Sequence, residues 1–261
     1  MASVDTSIHP HASGAAAEFA ARHSAPHDLR LYGGWFCPFV QRAWIVLHEK
    51  SIPHQYIEVN PYQKGAELLA LNPRGLVPTL RVPPARGGTE PRALYESLVV
   101  CEYLDEAYGG NDEDGRLLPA AEADPFERAR CRLWIDHVSS RIVPAFYKLL
   151  QHTPEKTYSI NEARDALLDH IQDFARAMAP VEEGGGPWFL GARFSLVDVA
   201  LAPWAARLFL IDHYKPGGLE RESVRDTLSE RIRYVEVYKR YAEDKTQSLV
   251  GKATREGARL P

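Results

Sequence analysis

Residues 35–42 read Trp-Phe-Cys-Pro-Phe-Val-Gln-Arg, and they put a thiol, Cys37, between a short β-run and an amphipathic helix. Leu29 to Tyr32 alternate like a half-buried strand, Gly33-Gly34 break it, and Pro38 suits a first helical turn, where its missing N–H costs nothing. Cys37 is therefore expected at or near the helix N-cap. There the unpaired backbone N–H groups and the positive end of the helix dipole favour thiolate, lowering the pKa below the ordinary value of about 8.5. The expected chemistry is nucleophilic attack by sulfur at neutral pH. A dithiol redox site would carry a second cysteine three residues on, but Val40 stands there. Cys37 would have to be resolved by an external small thiol, which makes the motif a monothiol site. The plain alternative is an inert buried cysteine that happens to start a helix.

Two further stretches carry recognition chemistry. Tyr95-Glu96-Ser97 closes a β-run and opens a helix. That places Ser97 at an N-cap, with the neighbouring N–H groups free to hold a carboxylate. Glu96 reads as a buried acid able to hold an ammonium, so the pair suits the zwitterionic end of an amino-acid-like ligand. In the segment Asn72 to Thr79, Pro78 directly precedes a strand, and a cis bond before it would turn the backbone of Val77 toward a ligand. Lys64 could hold a second carboxylate. The plainer readings are simple helix capping for Glu96-Ser97, a trans proline opening an edge strand, and a solvated surface lysine.

The elements that must position these residues are legible in the patterning. Strand 29–32, helix 38–50, strand 54–59 and helix 65–71 are followed by β-runs 79–82 and 93–95 and a helix from Ser97 to Tyr108. A βαβ unit followed by a ββα unit makes a small mixed sheet. The acidic, glycine-rich stretch 109–115 ends the strand patterns, and helices are expected near 125–152, 160–180, 195–212 and 222–242. The expected architecture is thus α/β followed by all-α. Its divisions are a disordered tail at 1–27, a first domain at 28–110, a linker at 111–123, a helical domain at 124–250 and a tail at 251–261.

Composition bounds the function classes. A formal net charge of −4 offers no basic excess for nucleic acid or an anionic membrane surface. The apolar run Val199 to Ile211 is interrupted by Pro203 and Arg207 and is too short to span a bilayer of about 30 Å. It reads as a core helix. Three widely spaced cysteines, Cys37, Cys101 and Cys131, suit a reducing compartment, so the cytoplasm is expected. Cys101 and Cys131 sit among apolar neighbours and read as structural. His9 and His11 in the N-terminal tail read as solvated, and no metal site is expected.

Taken together, Phe36-Cys37-Pro38-Phe39, Asn72-Pro73, Gly75-Leu76-Val77-Pro78, Tyr95-Glu96-Ser97, Cys101 to Glu106, Ser195-Leu196-Val197-Asp198 and Pro203-Trp204 resemble the glutathione transferase family, its omega class in particular. The resemblance spans roughly residues 28–245. It implies a thioredoxin-like first domain, a helical second domain and a homodimer. It also implies glutathione as cosubstrate, Cys37 as the catalytic position, and a glutathione site of Phe39, Lys64, Val77, Pro78, Glu96 and Ser97. Ser195 and Asp198 read as an N-capping pair rather than catalytic groups. A pocket for a hydrophobic or disulfide second substrate is expected between the domains, lined by Tyr32, Trp35, Trp134, Ile135 and Trp204, although Trp134 and Trp204 suit core packing equally well. The implied activity is thiol transfer or deglutathionylation on mixed disulfides, dehydroascorbate or glutathionyl ketones. Two alternatives stand beside it: a secondary-pathway enzyme that adds glutathione to an unsaturated substrate or isomerises one, and a non-enzymatic glutathione-binding regulator.

Overall fold

Alternating apolar residues in short runs give strands, and runs with helical period give the helices between them. The computed structural model describes residues 11–12, 15–60, 63–85, 88–108, 115–178 and 188–219. The described residues fall into two compact units, one up to residue 108 and one from residue 115.

In the first unit, β1 (Arg30–Gly33), α2 (Pro38–Glu49) and β2 (Gln55–Glu58) form a parallel βαβ unit. After α3 (Ala66–Leu71), β3 (Thr79–Val82) runs antiparallel to β1 and pairs with β4 (Arg92–Tyr95), giving the sheet order β2-β1-β3-β4. Helix α4 (Ser97–Ala107) packs against α2, and the two are joined by a buried ion pair, Lys50 Nζ to Asp105 Oδ1 at 3.0 Å. From Val40 to Leu47 every side chain of α2 is buried.

The expected disordered tail needs correction over its described part. Ala15–Arg22 is a helix, α1, and it docks on α2 and β2. Its Ala16 and Phe19 are fully buried, and Phe19 meets Trp44 edge-on at 5.5 Å. His23 stacks between Phe19 at 4.1 Å and His54 at 4.7 Å. The Tyr56 N–H donates to the His23 carbonyl at 2.8 Å. An alanine-rich stretch has the propensity to form a helix, and docking of one apolar side supplies what a helix this short lacks alone.

The second unit is helical throughout its long elements. Asp124 caps α5 (Pro125–His137) by accepting from the Glu127 N–H at 2.8 Å. A single π-turn, Val138–Ile142, carries α5 directly into α6 (Val143–Leu150). Ser159 and Glu162 form a capping box on α7 (Ile160–Ala177). Helix α8 (Leu196–Ala205) is buried along its whole length, and α9 (Phe209–Tyr214) follows. The single helix expected over 195–212 is thus two, broken where Arg207 turns inward and donates to the Pro203 carbonyl. Its N-terminus is fixed by Asp198, a carboxylate that accepts from the N–H groups of Ser195 and Phe189, both at 2.8 Å, and from the Ser195 hydroxyl at 2.6 Å. The expected helix at 222–242 and the C-terminal tail lie outside the described residues.

Candidate active site

Cys37 is the N-cap of α2, with extended backbone angles (φ −77°, ψ 119°), and its side chain makes no capping hydrogen bond. Its N–H donates to the Gly34 carbonyl at 3.0 Å and its carbonyl accepts from the Gln41 N–H at 3.1 Å, so the thiol is held at the end of a closed turn. That turn needs Gly33, where a Cβ would come within 2.5 Å of Val40 Cγ1 and push β1 off the first turn of α2. Beneath it, the Tyr56 hydroxyl donates to the Gly33 carbonyl at 2.7 Å, and burial pushes the Tyr56 pKa well above the ordinary value. Cys37 is half-buried and Phe39 exposed, whereas Val40 is fully buried. Cys101 and Cys131 are buried without access to water, and burial pushes both thiols up to about 12. They are packing residues.

The segment before β3 is organised by Asn72, which is fully buried. Its Nδ2 donates to the Leu76 carbonyl at 3.2 Å and to Thr79 Oγ1 at 3.1 Å, and its Oδ1 accepts from the Arg74 N–H at 3.1 Å. The Val77–Pro78 peptide bond is cis, as expected, and Val77 is half-buried. Lys64 is exposed, and its stem runs over Gly75, where a Cβ would meet Lys64 Cδ at 2.6 Å and where φ is +61°. Glycine is therefore required there twice over.

Glu96 and Ser97 differ from expectation by one position. Glu96 is the N-cap of α4, at φ 67° and ψ 115°, and Ser97 is the first helical residue. Glu96 is not a buried acid. Its side chain is 59% exposed and pairs with Arg74 at 2.6 Å. Ser97 is the buried member, and its Oγ accepts from Nη1 of the equally buried Arg42 at 3.2 Å. Arg42 and Arg74 were not candidates from sequence. The available signal for Arg42 was a lone charge inside the apolar run Val40 to Leu47.

The second-substrate residues fare differently. Tyr32 needs correction: it is a core residue, packed with Val59 and Leu68, and its hydroxyl donates to Glu67 of α3. Burial and that carboxylate push its pKa up. Trp204 is also core, buried in α8, and Ile135 is buried in α5. Trp35 is buried against Phe36, their rings edge-to-face at 5.2 Å. Trp134 is half-buried and meets Phe174 and Phe189 at 6.0 Å each, within an aromatic cluster of the second unit. Among the described residues no group of three or more His, Cys, Asp or Glu is placed to hold a metal ion. Among them, too, no helix is long and apolar enough to cross a membrane.

A mixed four-stranded sheet with a half-exposed thiol at a helix start, a cis-proline turn, and a second helix start bearing a buried serine defines a thioredoxin-like domain, followed in the chain by a helical one. Comparison with known proteins agrees. Residues 36–107 match the model of the glutathione S-transferase N-terminal domain and residues 149–242 that of the C-terminal domain. Pig glutathione S-transferase omega-1 is 32% identical over 203 residues, 75% of this chain and 76% of its own. Pyrimidodiazepine synthase of Drosophila melanogaster is 33% identical over 188 residues, covering 71% and 68%. The crystal structure of glutathione transferase Omega 3C from Trametes versicolor is 42% identical with a TM-score of 0.74, covering 91% of this chain and 97% of that one. The chain belongs to the glutathione S-transferase family. Its relatives place it beside the omega class, and it is a transferase that depends on glutathione.

Proposed function

We propose that this transferase works through Cys37, moving or removing glutathionyl groups rather than conjugating glutathione to electrophiles. The observation that carries the reading is the contrast among the three thiols: Cys37 is half-exposed at a helix N-cap, while Cys101 and Cys131 are sealed and held near 12. With valine in place of a resolving cysteine at position 40, each cycle needs one external glutathione as the resolving thiol. The Cys37 thiolate attacks the glutathionyl sulfur of a mixed disulfide, forming Cys37–S–SG and expelling the partner as thiolate. A glutathione thiolate then attacks the glutathionyl sulfur of that intermediate, leaving as oxidised glutathione and regenerating the Cys37 thiolate. Splitting one exchange into two steps is the advantage of a covalent nucleophile. A conjugating site needs a hydroxyl that donates to the glutathione thiolate, which an ionised cysteine cannot do.

The glutathione would lie with its γ-glutamyl carboxylate at the α4 N-terminus and Ser97, its ammonium toward Glu96, its peptide along Val77 beside Pro78, and its glycyl carboxylate toward Lys64, with Phe39 beside the thiol. The exposed Arg74–Glu96 pair keeps Glu96 at that rim. A hydrophobic or disulfide second substrate, a homodimeric assembly and a cytoplasmic setting complete the proposal, the last supported by the low, odd cysteine count. The test is glutathione-dependent reduction of a small mixed disulfide, coupled to NADPH oxidation by glutathione reductase. Turnover should be lost in Cys37→Ser, and equal turnover in the two proteins refutes the assignment.

A second reading, a secondary-pathway enzyme that adds glutathione to an unsaturated substrate or closes a ring on it, is favoured by the 33% identity to a pyrimidodiazepine synthase. Product analysis with conjugated unsaturated ketones distinguishes it, since no oxidised glutathione would form.

A further inference from the structure

A buried guanidinium is costly unless it has a task, and Arg42 is only 2% exposed in the middle of the helix that begins at Cys37. Its Nη1 reaches across to α4 and donates to Ser97 Oγ at 3.2 Å, and its Cζ lies 5.6 Å from the centroid of the Phe39 ring. It also lies close enough to Cys101, one turn along α4 from Ser97, to pull that thiol's pKa down against the larger effect of burial. One cation thus touches two of the residues expected around glutathione and sits on the same helix as the nucleophile.

The direction of the Ser97 bond matters. A guanidinium only donates, so Ser97 Oγ must spend a lone pair on Arg42, and its own O–H is directed elsewhere. Ser97 is itself 8% exposed, and its O–H donates to no group among the described residues. It stands at the first residue of an eleven-residue helix whose opening N–H groups also lack intrahelical acceptors. Without Arg42 the hydroxyl would be free to rotate and use its proton on a nearby carbonyl. With Arg42 in place it is a preset donor, polarised by a full charge behind it.

We propose that Arg42 is a positioning residue for glutathione: from inside the α2–α4 contact it fixes the Ser97 hydroxyl as a donor to the γ-glutamyl α-carboxylate and supplies the positive charge behind that site. The inference rests on the reading of Ser97 as the carboxylate-binding hydroxyl. Because α2 also carries Cys37, the same contact ties the place where the carboxylate is held to the place where sulfur reacts. Binding energy gathered at the far end of the tripeptide then serves to orient its thiol.

The experiment measures binding of S-methylglutathione, which cannot react, to the full chain by calorimetry. It compares wild type, Arg42→Met, Arg42→Lys, Ser97→Ala and the double variant Arg42→Met with Ser97→Ala. A second probe, S-methyl-4-aminobutanoyl-cysteinylglycine, lacks only the γ-glutamyl α-carboxylate. Loss of a charge-assisted hydrogen bond corresponds to roughly a tenfold to hundredfold rise in Kd for Arg42→Met. Arg42→Lys should recover most of it, and the double variant should bind no more than about threefold worse than Ser97→Ala, because the two residues act as one unit. With the second probe the Arg42→Met effect should disappear. A merely structural role would lower thermal stability and weaken both probes alike, which overturns the proposal. So does an unchanged Kd in Arg42→Met, or losses that multiply in the double variant. Should methionine leave the chain unfolded, Arg42→Gln, which keeps a donor and loses the charge, carries the same comparison. A Ser97→Ala variant with unaltered affinity overturns the reading of Ser97 itself and is recognised separately from a failure at Arg42.

Discussion

Acid should loosen the seat of α1 through His54. The imidazole is 8% exposed, stacked under His23, and its Nδ1–H donates to the Ile52 carbonyl at 2.8 Å. Its Nε2 is buried with no hydrogen-bond partner among the described residues, so a proton arriving there would be a charge without an acceptor. Burial holds the pKa down at about 4 against the opposing effect of the Ile52 bond, and His23, His48 and His27 each add a lesser push downward. The unfolded chain binds this proton near pH 6.5 and the folded one only near 4, so between those values the unfolded state carries more protons. The stability His54 contributes is therefore complete above about pH 6.5 and falls as pH drops toward 4. At 1.36 kcal/mol per unit the full window corresponds to about 3 kcal/mol, of which about 2 kcal/mol is already lost at pH 5. The assay is urea unfolding at pH 7.5 and 5.0 for wild type and His54→Phe, which fills the site without titrating, with hydrogen exchange followed over residues 15–24. Wild type should lose about 2 kcal/mol more than the variant on acidification, and the α1 amides should exchange faster at pH 5 in wild type alone. If both proteins lose the same stability to within about 0.5 kcal/mol, the burial argument for His54 is wrong.

Asp198→Ala should destabilise the second unit by about 3 kcal/mol, because it strands the buried N–H groups of Ser195 and Phe189 together; a shift in the thermal midpoint of less than about 2 °C refutes this. Iodoacetamide at pH 7.5 should add a single carbamidomethyl group to the native chain, at Cys37, and three after denaturation. Fast native modification of Cys101 or Cys131 in peptide mass spectra would contradict their burial.

The ordering of strands and helices in the first unit is legible because period-two and period-3.6 patterns alternate there and glycine or proline punctuates every junction but that of β4 with α4. The position of Cys37 at the helix start is legible from the strand pattern before it, the Gly33-Gly34 break and Pro38 taken together. Helix α1 was missed because its flanks, rich in serine and histidine, look like a tail, while the decisive contacts of Ala16 and Phe19 are with residues remote in sequence. Tyr32 was misassigned for a related reason. A strand alternation tells which residues share a face but not which face is covered, and α3 covers the one bearing Tyr32. Glu96 reversed its expected burial because its positive φ turns the backbone at the end of β4, leaving the acid to Arg74 and water. Trp204 could not be distinguished from a pocket residue, since a large aromatic in an apolar run satisfies either role equally.

The π-turn between α5 and α6 sets the phase of everything that follows it. One extra residue in a helical turn displaces the later side chains by about 100° around the axis, so the wide turn over 138–142 decides which stripe of α6 faces inward. Phe146 and Leu149 are the residues it delivers to the interior, at 1% and 0% exposure. Deleting Ser139 or Ser140 would close the wide turn without making the helix regular, because Pro144 has no N–H to donate. It would also rotate Phe146 and Leu149 out of register with the rest of the second unit. This segment is therefore locally irregular and globally fixed: its length in residues, more than the identity of the serines within it, is the quantity the fold depends on.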